Sequence, residues 1–400
     1  MKKSGVRLAA AVMLGGAILA LTSCFYMPGV SGKPAKAGIN ISRSLLPANV
    51  SSVALIVGGP GMGTIAAQYP VGTTSATLTV PSGAARTFTV LASTPSVTFR
   101  DEVTVDLAPG EAKEVGLSPR LFASQILVPD SMNGRVVQVS DMQGAGWQEQ
   151  TGMQNPSDVD FDSQGRIYVA CAYSIQQMDD IQSGTSNTVS AVSERGVVSI
   201  AVDRTNDLLY WSDSQGYLWR VPVPLGEVNN PEPVNLGSPG EGGVYATAIA
   251  ADSDGSLYVA DSTTLEIVKI NPNPDPANPT IMVSYSGAPG GIPIKSPSDI
   301  LANGDGVYVI DSGNSRILHL TRNLGFVDSI SGHGSDSFLG PARFVAILNK
   351  PITVIDEEPY TNQGNRLVSF NDMTGAGWMT YEPQIEGADQ FVFFYQNNVP

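Results

Sequence analysis

Short apolar runs separated by turn residues recur through the last two thirds of the chain. The clearest example is 297–322, which contains three predicted strands at Asp299–Ala302, Val307–Asp311 and Arg316–Leu320. Asn and Gly in the intervening turn, Asn303–Gly306, tolerate the positive φ of a tight hairpin. The Val, Ile and Tyr residues of the second strand are favoured in sheets. The pattern predicts antiparallel strands joined by short turns.

The strand Val307–Asp311 has counterparts elsewhere. They share an apolar run that in most copies ends with Asp, at Ile126–Asp130, Ile167–Cys171, Leu209–Asp213, Leu257–Asp261 and Ile352–Asp356. A second motif occurs twice, at Asp141–Trp147 and Asp372–Trp378, with its Trp residues 231 positions apart. Five intervals over that distance give a repeat of about 46 residues, close to a four-stranded propeller blade. Both markers predict six repeats.

Asp311–Ile317 resembles the core of an NHL repeat, the unit of many six-bladed β-propellers, and Pro297–Ile300 fits the same family. Residues 156–173 and 247–270 are similar but match less closely. The resemblance covers roughly residues 120–400 and implies an all-β, six-bladed propeller. It implies no particular activity, because such propellers include enzymes, binding proteins and scaffolds.

The N-terminus is typical of a secretory signal, with three basic residues followed by an apolar run, Leu8–Leu21. This run is too short for an ordinary membrane-spanning helix. Leu21–Cys24 resembles the lipobox of bacterial lipoproteins, which implies removal of residues 1–23 and acylation of Cys24, with palmitate among the possible chains. The resemblance also implies a cell-envelope protein, held on the outer or cytoplasmic membrane and facing the periplasm or the exterior. An ordinary signal followed by an unrelated Cys is the alternative.

Removal of the signal would lower the formal net charge from −15 to −18, because three basic and no acidic residues are lost. An acidic chain argues against nucleic acid and anionic lipid headgroups as partners. Cys171 would be the one remaining cysteine, so no internal disulfide is expected. We interpret Cys171 as a small buried side chain, and a reactive thiol is the alternative.

Two segments precede the propeller. Residues 24–37 are rich in Gly, Pro, Ser and Lys, and predict a flexible tether. Residues 38–119 contain alternating or apolar runs separated by turn residues, which predict a small antiparallel β-sandwich. It resembles Ig-like or transthyretin-like modules. The predicted strands are Ile39–Ser42, Val53–Val57, Ser75–Val80, Thr87–Ala92, Glu102–Leu107 and Lys113–Leu117.

The first propeller repeat, within Leu121–Gly152, has three predicted strands and no inner strand before them. A further apolar run, Ala388–Gln396, follows the sixth repeat without a middle strand after it. The two fragments complement each other. Because an open ring exposes sheet edges that can aggregate, we predict that the C-terminal run completes the first blade within residues 120–400.

Two histidines could carry chemistry. His319 lies inside a predicted strand between two Leu residues, and we interpret it as structural. His333 lies in a Gly- and Ser-rich loop before the sixth inner strand, where such loops line one end of a central channel. It is the better functional candidate, but a zinc site needs three or four convergent ligands. No metal or other cofactor is predicted, although a divalent cation remains an alternative.

Carboxylates are numerous and recur at fixed places. Asp158, Asp160 and Asp162 alternate, and Asp252–Gly255 and Asn303–Gly306 occur at the same turn. These loops lack the Glu that commonly completes a calcium loop, so we interpret them as Asx turns. The Asp that ends each middle strand is interpreted as an acceptor for turn N–H groups or as the partner of a nearby Arg. The alternative is a ring of acids at a channel mouth, as in six-bladed calcium-dependent lactonases.

The whole pattern favours a membrane-anchored binding or scaffolding module, and a monomer is expected. Its ligand would be a protein, peptide or glycan that meets the loops entering the inner strands. The alternative is a metal-dependent hydrolase or lyase with its active site in the channel. The candidate binding residues are Asn155, Tyr245, Lys295, His333 and Arg343.

Overall fold

The computed structural model describes ten stretches of the chain. They are residues 33–131, 133–142, 144–185, 187–190, 195–239, 241–272, 275–287, 291–344, 352–356 and 366–381. The predicted signal, Cys24 and the predicted closing strand 388–396 lie outside them. Within these stretches no helix is long and apolar enough to cross a membrane.

The chain divides into two compact units. The first comprises residues up to Ile41, Ser52–Val90 and Glu102–Leu117, and the second comprises the remainder. The predicted boundary after residue 119 lies close to the last division at Leu117. Two short segments that precede it, Ser42–Ser51 and Leu91–Asp101, nevertheless group with the second unit.

The N-terminal strands form two sheets, ordered β4-β1-β7 and β3-β2-β5-β6-β8. Their bounds are β1 Ala35–Ile41, β2 Ser52–Gly58, β3 Ile65–Tyr69, β4 Ser75–Val80, β5 Gly83–Ser93, β6 Val97–Leu107, β7 Ala112–Leu117 and β8 Arg120–Ser124. Alternate residues of β1 are buried, as expected for a strand with one face on a core. β1 begins inside the segment predicted as a tether.

The prediction of a purely antiparallel sandwich was wrong for one pair of strands. β1 pairs antiparallel with β4 but parallel with β7, where Ile39 is opposite Val115. Parallel neighbours need a long crossover connection. Here the chain between β1 and β7 includes the strands of the other sheet, so the connection is long enough.

The second unit contains six successive antiparallel sheets within the described residues. The first has the order β11-β10-β9, and each of the other five has four strands in chain order. The first sheet contains β9 Ile126–Asp130, β10 Arg135–Val139 and β11 Gln148–Thr151, and the second contains β12 Asp158–Phe161, β13 Ile167–Cys171, β14 Ser174–Met178 and β15 Asn187–Ser190. The third contains β16 Val197–Asp203, β17 Leu208–Asp213, β18 Leu218–Pro222 and β19 Glu232–Val234, and the fourth contains β20 Ala246–Ala251, β21 Leu257–Asp261, β22 Glu266–Asn271 and β23 Thr280–Tyr285. The fifth contains β24 Pro297–Ala302, β25 Val307–Asp311, β26 Arg316–Leu320 and β27 Phe326–Ile330, and the sixth contains β30 Pro341–Phe344, β31 Ile352–Asp356, β32 Arg366–Phe370 and β33 Met379–Tyr381. A small hairpin, β28 Gly332–His333 with β29 Asp336–Ser337, precedes the sixth sheet.

Hydrophobic clusters lie between successive sheets. One joins the second and third sheets through Tyr168 and Trp211, and another joins the fifth and sixth through Ile310 and Val354. A further cluster contains Ile126 and Val128 of the first sheet together with Ile355 and Leu367 of the last. This succession of face-packed antiparallel sheets is a propeller-type, all-β fold, as the sequence predicted.

The motif that occurs twice forms the turn between the last two strands of its sheet in chain order. Ser140 N–H donates to Ala145 O at 2.7 Å in the first copy, and Asn371 N–H donates to Ala376 O at 2.8 Å in the second. Gly144 and Gly375 have φ of 77° and 79°, where glycine is favoured. The motif is therefore a turn signature, which explains why it marks the repeat.

Candidate functional site

In the fourth, fifth and sixth sheets, the loop that leads into the inner strand is fixed by the Asp at the end of the middle strand of the same sheet. We call the loops that lead into the inner strands the entry loops. Asp311 Oδ1 accepts hydrogen bonds from Lys295 N at 3.0 Å and Ser296 N at 3.2 Å. Asp261 Oδ1 accepts from Tyr245 N at 3.2 Å. Each buried carboxylate therefore holds backbone N–H groups of its entry loop in one place.

The same acids pair with arginine. Asp311 Oδ2 lies 2.9 Å from Arg316 Nε, and Asp356 Oδ2 lies 2.8 Å from Arg366 Nε. Asp130 makes the corresponding pair with Arg135 Nε at 2.8 Å. All three acids are fully buried, so charge and hydrogen-bond compensation are required. These contacts confirm that the Asp residues ending the middle strands are structural anchors.

The acids at the inner-to-middle turns are also engaged locally. Asp162 Oδ1 accepts from Gln164 N at 2.9 Å and from Arg166 N at 3.0 Å. Asn303 Oδ1 accepts from Asp305 N at 2.9 Å. These are Asx-type turn contacts, as predicted. In the part of the chain that the structure describes, no three His, Cys, Asp or Glu side chains are grouped to hold a metal ion.

Three of the predicted binding residues lie in entry loops. Asn155 is exposed and has a φ of 46°. Lys295 is also exposed. Tyr245 is half-buried, and its hydroxyl donates to Ser214 O at 2.7 Å in the preceding sheet. The structure thus places Asn155, Tyr245 and Lys295 at the same end of their sheets.

His333 lies elsewhere. It belongs to the hairpin before the sixth sheet, and its Nδ1 lies 3.2 Å from Thr374 O in the turn between the two outermost strands. Its ring is 6.4 Å from that of Trp378. The expectation that His333 lines a channel end fails, because the hairpin carries it to the outer part of the last sheet. His319 stacks on Tyr308 at 4.6 Å, which supports its structural interpretation.

Arg343 is not in an entry loop either. It is the third residue of β30, an inner strand. Its Nη2 donates to Val198 O of the third sheet at 3.2 Å, and its Nη1 lies 4.0 Å from Asp158 Oδ2 of the second sheet. Because these sheets are not neighbours of the sixth in chain order, Arg343 crosses the space that the inner strands enclose.

The carboxyl groups of Asp158 and Asp299 lie beside this space. Asp158 Oδ2 accepts from Ser199 Oγ at 3.0 Å and from Ile200 N at 2.8 Å, both in the next sheet. Asp299 Oδ2 accepts from Phe344 N at 2.7 Å, also in the next sheet. We call Asp158, Asp299 and Arg343 the axial cluster. Sequence analysis missed it, although the repeated Pro-Ser-Asp at Pro156–Asp158 and Pro297–Asp299 was a usable signal.

The axial cluster has unusual electrostatics. Burial raises the pKa of Asp158, and the charge of Arg343 only partly offsets this. Burial, and then the nearby charge of Asp158, raise the pKa of Asp299 to about 7, with Arg343 again acting in the opposite direction. The single positive charge of Arg343 therefore partly compensates two carboxyl groups, and Asp299 holds a proton near neutral pH.

A surface depression of about 500 Å³ lies between the first and second sheets. We call it the notch. It is lined by Ser131, Asn133, Gly134, Met153, Gln154, Asn155, Ala172 and Tyr173. The Tyr173 side chain is 57% exposed. An aromatic ring and several amide side chains thus meet in one concave surface.

Cys171 lies beside the notch, at the end of β13, where the other sheets carry the anchoring Asp. The following residue, Ala172, donates its N–H to Gln154 O at 2.7 Å. Cys171 is buried, and burial raises the pKa of its thiol to about 12. The thiol is therefore protonated and enclosed, which supports a packing role.

Comparisons with known proteins do not extend this picture to a function. No family model and no curated protein matches the chain. A solved structure of a nidogen/laminin complex is similar at 14% identity over 65% of this chain and 93% of that chain, with a TM-score of 0.47. A Bacteroides caccae protein of unknown function is similar at 14% identity over 64% and 93%, with a TM-score of 0.48. A functionally unknown Desulfotomaculum acetoxidans protein is similar at 12% identity over 84% and 100%, with a TM-score of 0.41. At these values the fold assignment rests on the sheets of this chain, and the NHL family remains a resemblance.

Proposed function

We propose that this protein is an exported, lipid-anchored binding or scaffolding module. Its ligand, a protein, peptide or glycan, would meet the end of the propeller that carries the entry loops. Acyl chains on Cys24 would hold the protein on the envelope membrane. The residues that contact the ligand would include Asn155, Tyr245 and Lys295.

The observation that carries this proposal is the anchoring of three entry loops, those of the fourth, fifth and sixth sheets, by buried acids. Each anchored loop keeps its conformation without a ligand, so binding would cost little ordering entropy. Lys295, for example, presents an exposed side chain while its own N–H is held by Asp311. Rigid loops on a β scaffold are a common basis for recognition.

The axial cluster favours binding over catalysis in the channel. Its carboxylates are hydrogen-bonded to neighbouring inner strands, and Arg343 lies between the second, third and sixth sheets. An internal guanidinium thus supplies the positive charge that a metal ion would otherwise provide. This supports a structural role for the axis.

A hydrolase or lyase is the second candidate function. The observation in its favour is Asp299, whose pKa of about 7 would suit a general acid. The metal-dependent form of this alternative lacks a cluster of three ligands in the described residues. Incubation of the protein with envelope glycans and peptides, followed by mass spectrometry, would reveal turnover. Products formed by wild type and not by Asp299→Asn would favour the enzyme.

The binding proposal is tested by affinity capture from a solubilised envelope extract. The variant Lys295→Glu with Tyr173→Ala alters the entry-loop end, and Asp305→Lys alters the opposite end as a matched control. We expect a partner that wild type and the control capture and the double variant loses. Equal capture by all three folded proteins would contradict the proposal.

The anchor is tested separately by metabolic labelling with a radioactive fatty acid. The thioether cannot form in Cys24→Ala, so we expect label in wild type and none in the variant. Two or three acyl chains give stable attachment, at about 0.8 kcal/mol per buried CH₂. Equal label in both proteins would exclude Cys24 as the acceptor.

A further inference from the structure

Lys295 differs from the other basic residues of the six sheets, because it has no acidic partner in the part of the chain that the structure describes. Every other Arg or Lys described between residues 126 and 381 lies within 4.0 Å of an Asp or Glu carboxylate oxygen. These paired residues are Arg135, Arg166, Arg195, Arg204, Arg220, Lys269, Arg316, Arg322, Arg343 and Arg366. Lys295 is exposed, so its charge is available to another molecule.

The backbone around Lys295 is held by residues that follow the middle strand of the same sheet. We call Ile292–Ser296 the clamped segment. Arg316 Nη2 and Asn314 Nδ2 donate to the first two carbonyl oxygens of this segment, at 2.8 Å and 2.9 Å. Asp311 Oδ1 accepts from the last two N–H groups of the segment. The clamped segment therefore has a fixed conformation before any partner binds.

The side chain of Lys295 is also positioned, because its stem lies across Gly313. A Cβ added to Gly313 would lie 3.0 Å from Cγ and 3.1 Å from Cβ of Lys295. The glycine thus leaves room for the lysine stem beside the turn. An exposed ion pair gains little partly because it must order two long side chains. A stem that is already placed lowers that entropic cost for a partner at Lys295.

The charges near the clamped segment differ from those at the opposite end of the same sheets. The turn that it contacts, Ser312–Ser315, contains no charged residue. At the opposite end, Asp305 of the fifth sheet is exposed and the carboxyl side chain of Asp254 in the fourth sheet is 52% exposed. The whole chain carries a formal net charge of −15. An anionic partner would therefore meet repulsion at the acidic turns and an unpaired cation at the clamped segment.

An exposed apolar side chain accompanies the cation. Ile292, the first residue of the clamped segment, is 63% exposed. Ile294 is only 3% exposed and belongs to the hydrophobic cluster between the fourth and fifth sheets. One isoleucine thus fastens the segment to the core, and the other is presented to solvent. A polyanion without apolar groups would leave Ile292 unused, whereas a polypeptide can match both side chains.

We propose that the clamped segment binds an acidic, amphipathic stretch of a partner polypeptide. An Asp or Glu carboxylate of the partner would lie on the Lys295 ammonium group, and a neighbouring apolar side chain would pack against Ile292. Lysine acts as a point charge and so accepts a carboxylate in many orientations, while burial of Ile292 would add hydrophobic free energy. This inference rests on the proposed binding function and narrows its ligand to a polypeptide of this composition.

The test is a selection of random twelve-residue peptides displayed on phage against the full-length protein in detergent micelles. We expect wild type and Lys295→Arg to enrich peptides in which Asp or Glu lies beside Leu, Ile or Phe. Lys295→Glu should instead enrich peptides with Lys or Arg at the same place. Ile292→Ser should keep the acidic preference and lose the apolar one. Both positions are exposed, so these variants should keep the wild-type melting temperature.

One synthetic peptide from the wild-type selection then gives the affinities by fluorescence anisotropy. Lys295→Gln should weaken its binding about threefold, as for an exposed ion pair, and Ile292→Ser about fivefold. Asp305→Asn, a charge change at the opposite end, should leave the affinity unchanged. Binding in wild type should also weaken as salt is added, and this salt dependence should be smaller in Lys295→Gln.

Three results would overturn the inference. They are wild-type peptides without acidic enrichment, the same acidic enrichment in Lys295→Glu as in wild type, and a peptide that inorganic polyphosphate displaces while Ile292→Ser binds it normally. The last result would mean a general anion site. Failure of the selection with partner capture from the envelope intact would reject the acidic partner and leave the binding function standing. Success of the selection with equal capture by all proteins would reject the proposed function and leave the peptide preference.

Discussion

Arg343 of the sixth sheet donates a hydrogen bond from Nη2 to the backbone carbonyl oxygen of Val198 in the third sheet, at 3.2 Å. The guanidinium also lies 4.0 Å from Asp158 of the second sheet. One side chain thus connects three sheets that are far apart in sequence. Because these contacts join different sheets, they stabilise the assembly of the sheets and not the strand pairing within any one sheet.

Replacing Arg343 with Gln should destabilise the protein by about 3 kcal/mol, because two buried carboxyl groups lose their cation. Urea unfolding monitored by circular dichroism measures the change. Arg322→Gln is a matched control, since the Arg322 side chain is 43% exposed in its pair with Asp252 and should contribute less than about 1 kcal/mol. Equal effects of the two substitutions would contradict a special role for Arg343.

The raised pKa of Asp299 predicts a specific pH dependence. Its folded value of about 7 lies above the unfolded value of about 3.9, so the folded state binds the proton more tightly. The resulting stabilisation is complete below about pH 4 and is lost as the pH rises through 7. Relative to Asp299→Asn, wild type should therefore lose unfolding free energy as the pH rises from about 4 to about 7. Parallel pH profiles for the two proteins would show that Asp299 does not titrate in this range.

The anchoring acids should matter for both stability and loop order. Asp311→Ala removes the acceptor of Lys295 N and Ser296 N and leaves Arg316 without its buried partner. We expect a loss of about 3 kcal/mol and faster hydrogen exchange at those two amides. Glu232→Gln, which alters a pair with a 58% exposed carboxylate, should change neither. Unchanged exchange at Lys295 and Ser296 in Asp311→Ala would refute the anchoring account.

Much of the local structure was predictable from sequence. Strands Val307–Asp311 and Ile126–Asp130 were predicted at their observed bounds, because β-branched runs between turn residues are strong local signals. β3, Ile65–Tyr69, was missed, since its Ala and Gln residues give a weak strand pattern. The parallel pairing of β1 with β7 was also missed, because register between distant strands leaves no local trace.

The candidate site was predicted less well, for a physical reason. Arg343 was expected in an entry loop, but β30 begins at Pro341 and carries its side chain inward. Arg343 reaches Val198 and Asp158, which are more than a hundred positions away, and no local pattern encodes these contacts, although the repeated Pro-Ser-Asp marks the two acids of the axial cluster. Asn155, Tyr245 and Lys295 were placed correctly at one end because the repeat itself positions the loop before each inner strand.

The described part of the first sheet has three strands, and β9 is its innermost. We propose that residues 388–396 add the fourth and complete a six-bladed ring. Deleting 386–400 should then expose the edge of β9 and cause aggregation or loss of cooperative unfolding. Size-exclusion chromatography and a thermal melt of the truncated protein provide the measurement. A monomer with an unchanged melting temperature would show that the ring closes in another way.

The central claim, that the entry-loop end is the binding surface, is tested most directly by site-specific photo-crosslinking in intact cells. A photoreactive residue is placed at Lys295, at the entry-loop end, and in a second strain at Asp305, in the inner-to-middle turn of the same sheet at the opposite end. Both positions are exposed, so they differ chiefly in which end of the propeller they sample. The account predicts a discrete crosslinked partner from position 295 and none from position 305. A partner captured from position 305 and not from position 295 would contradict it.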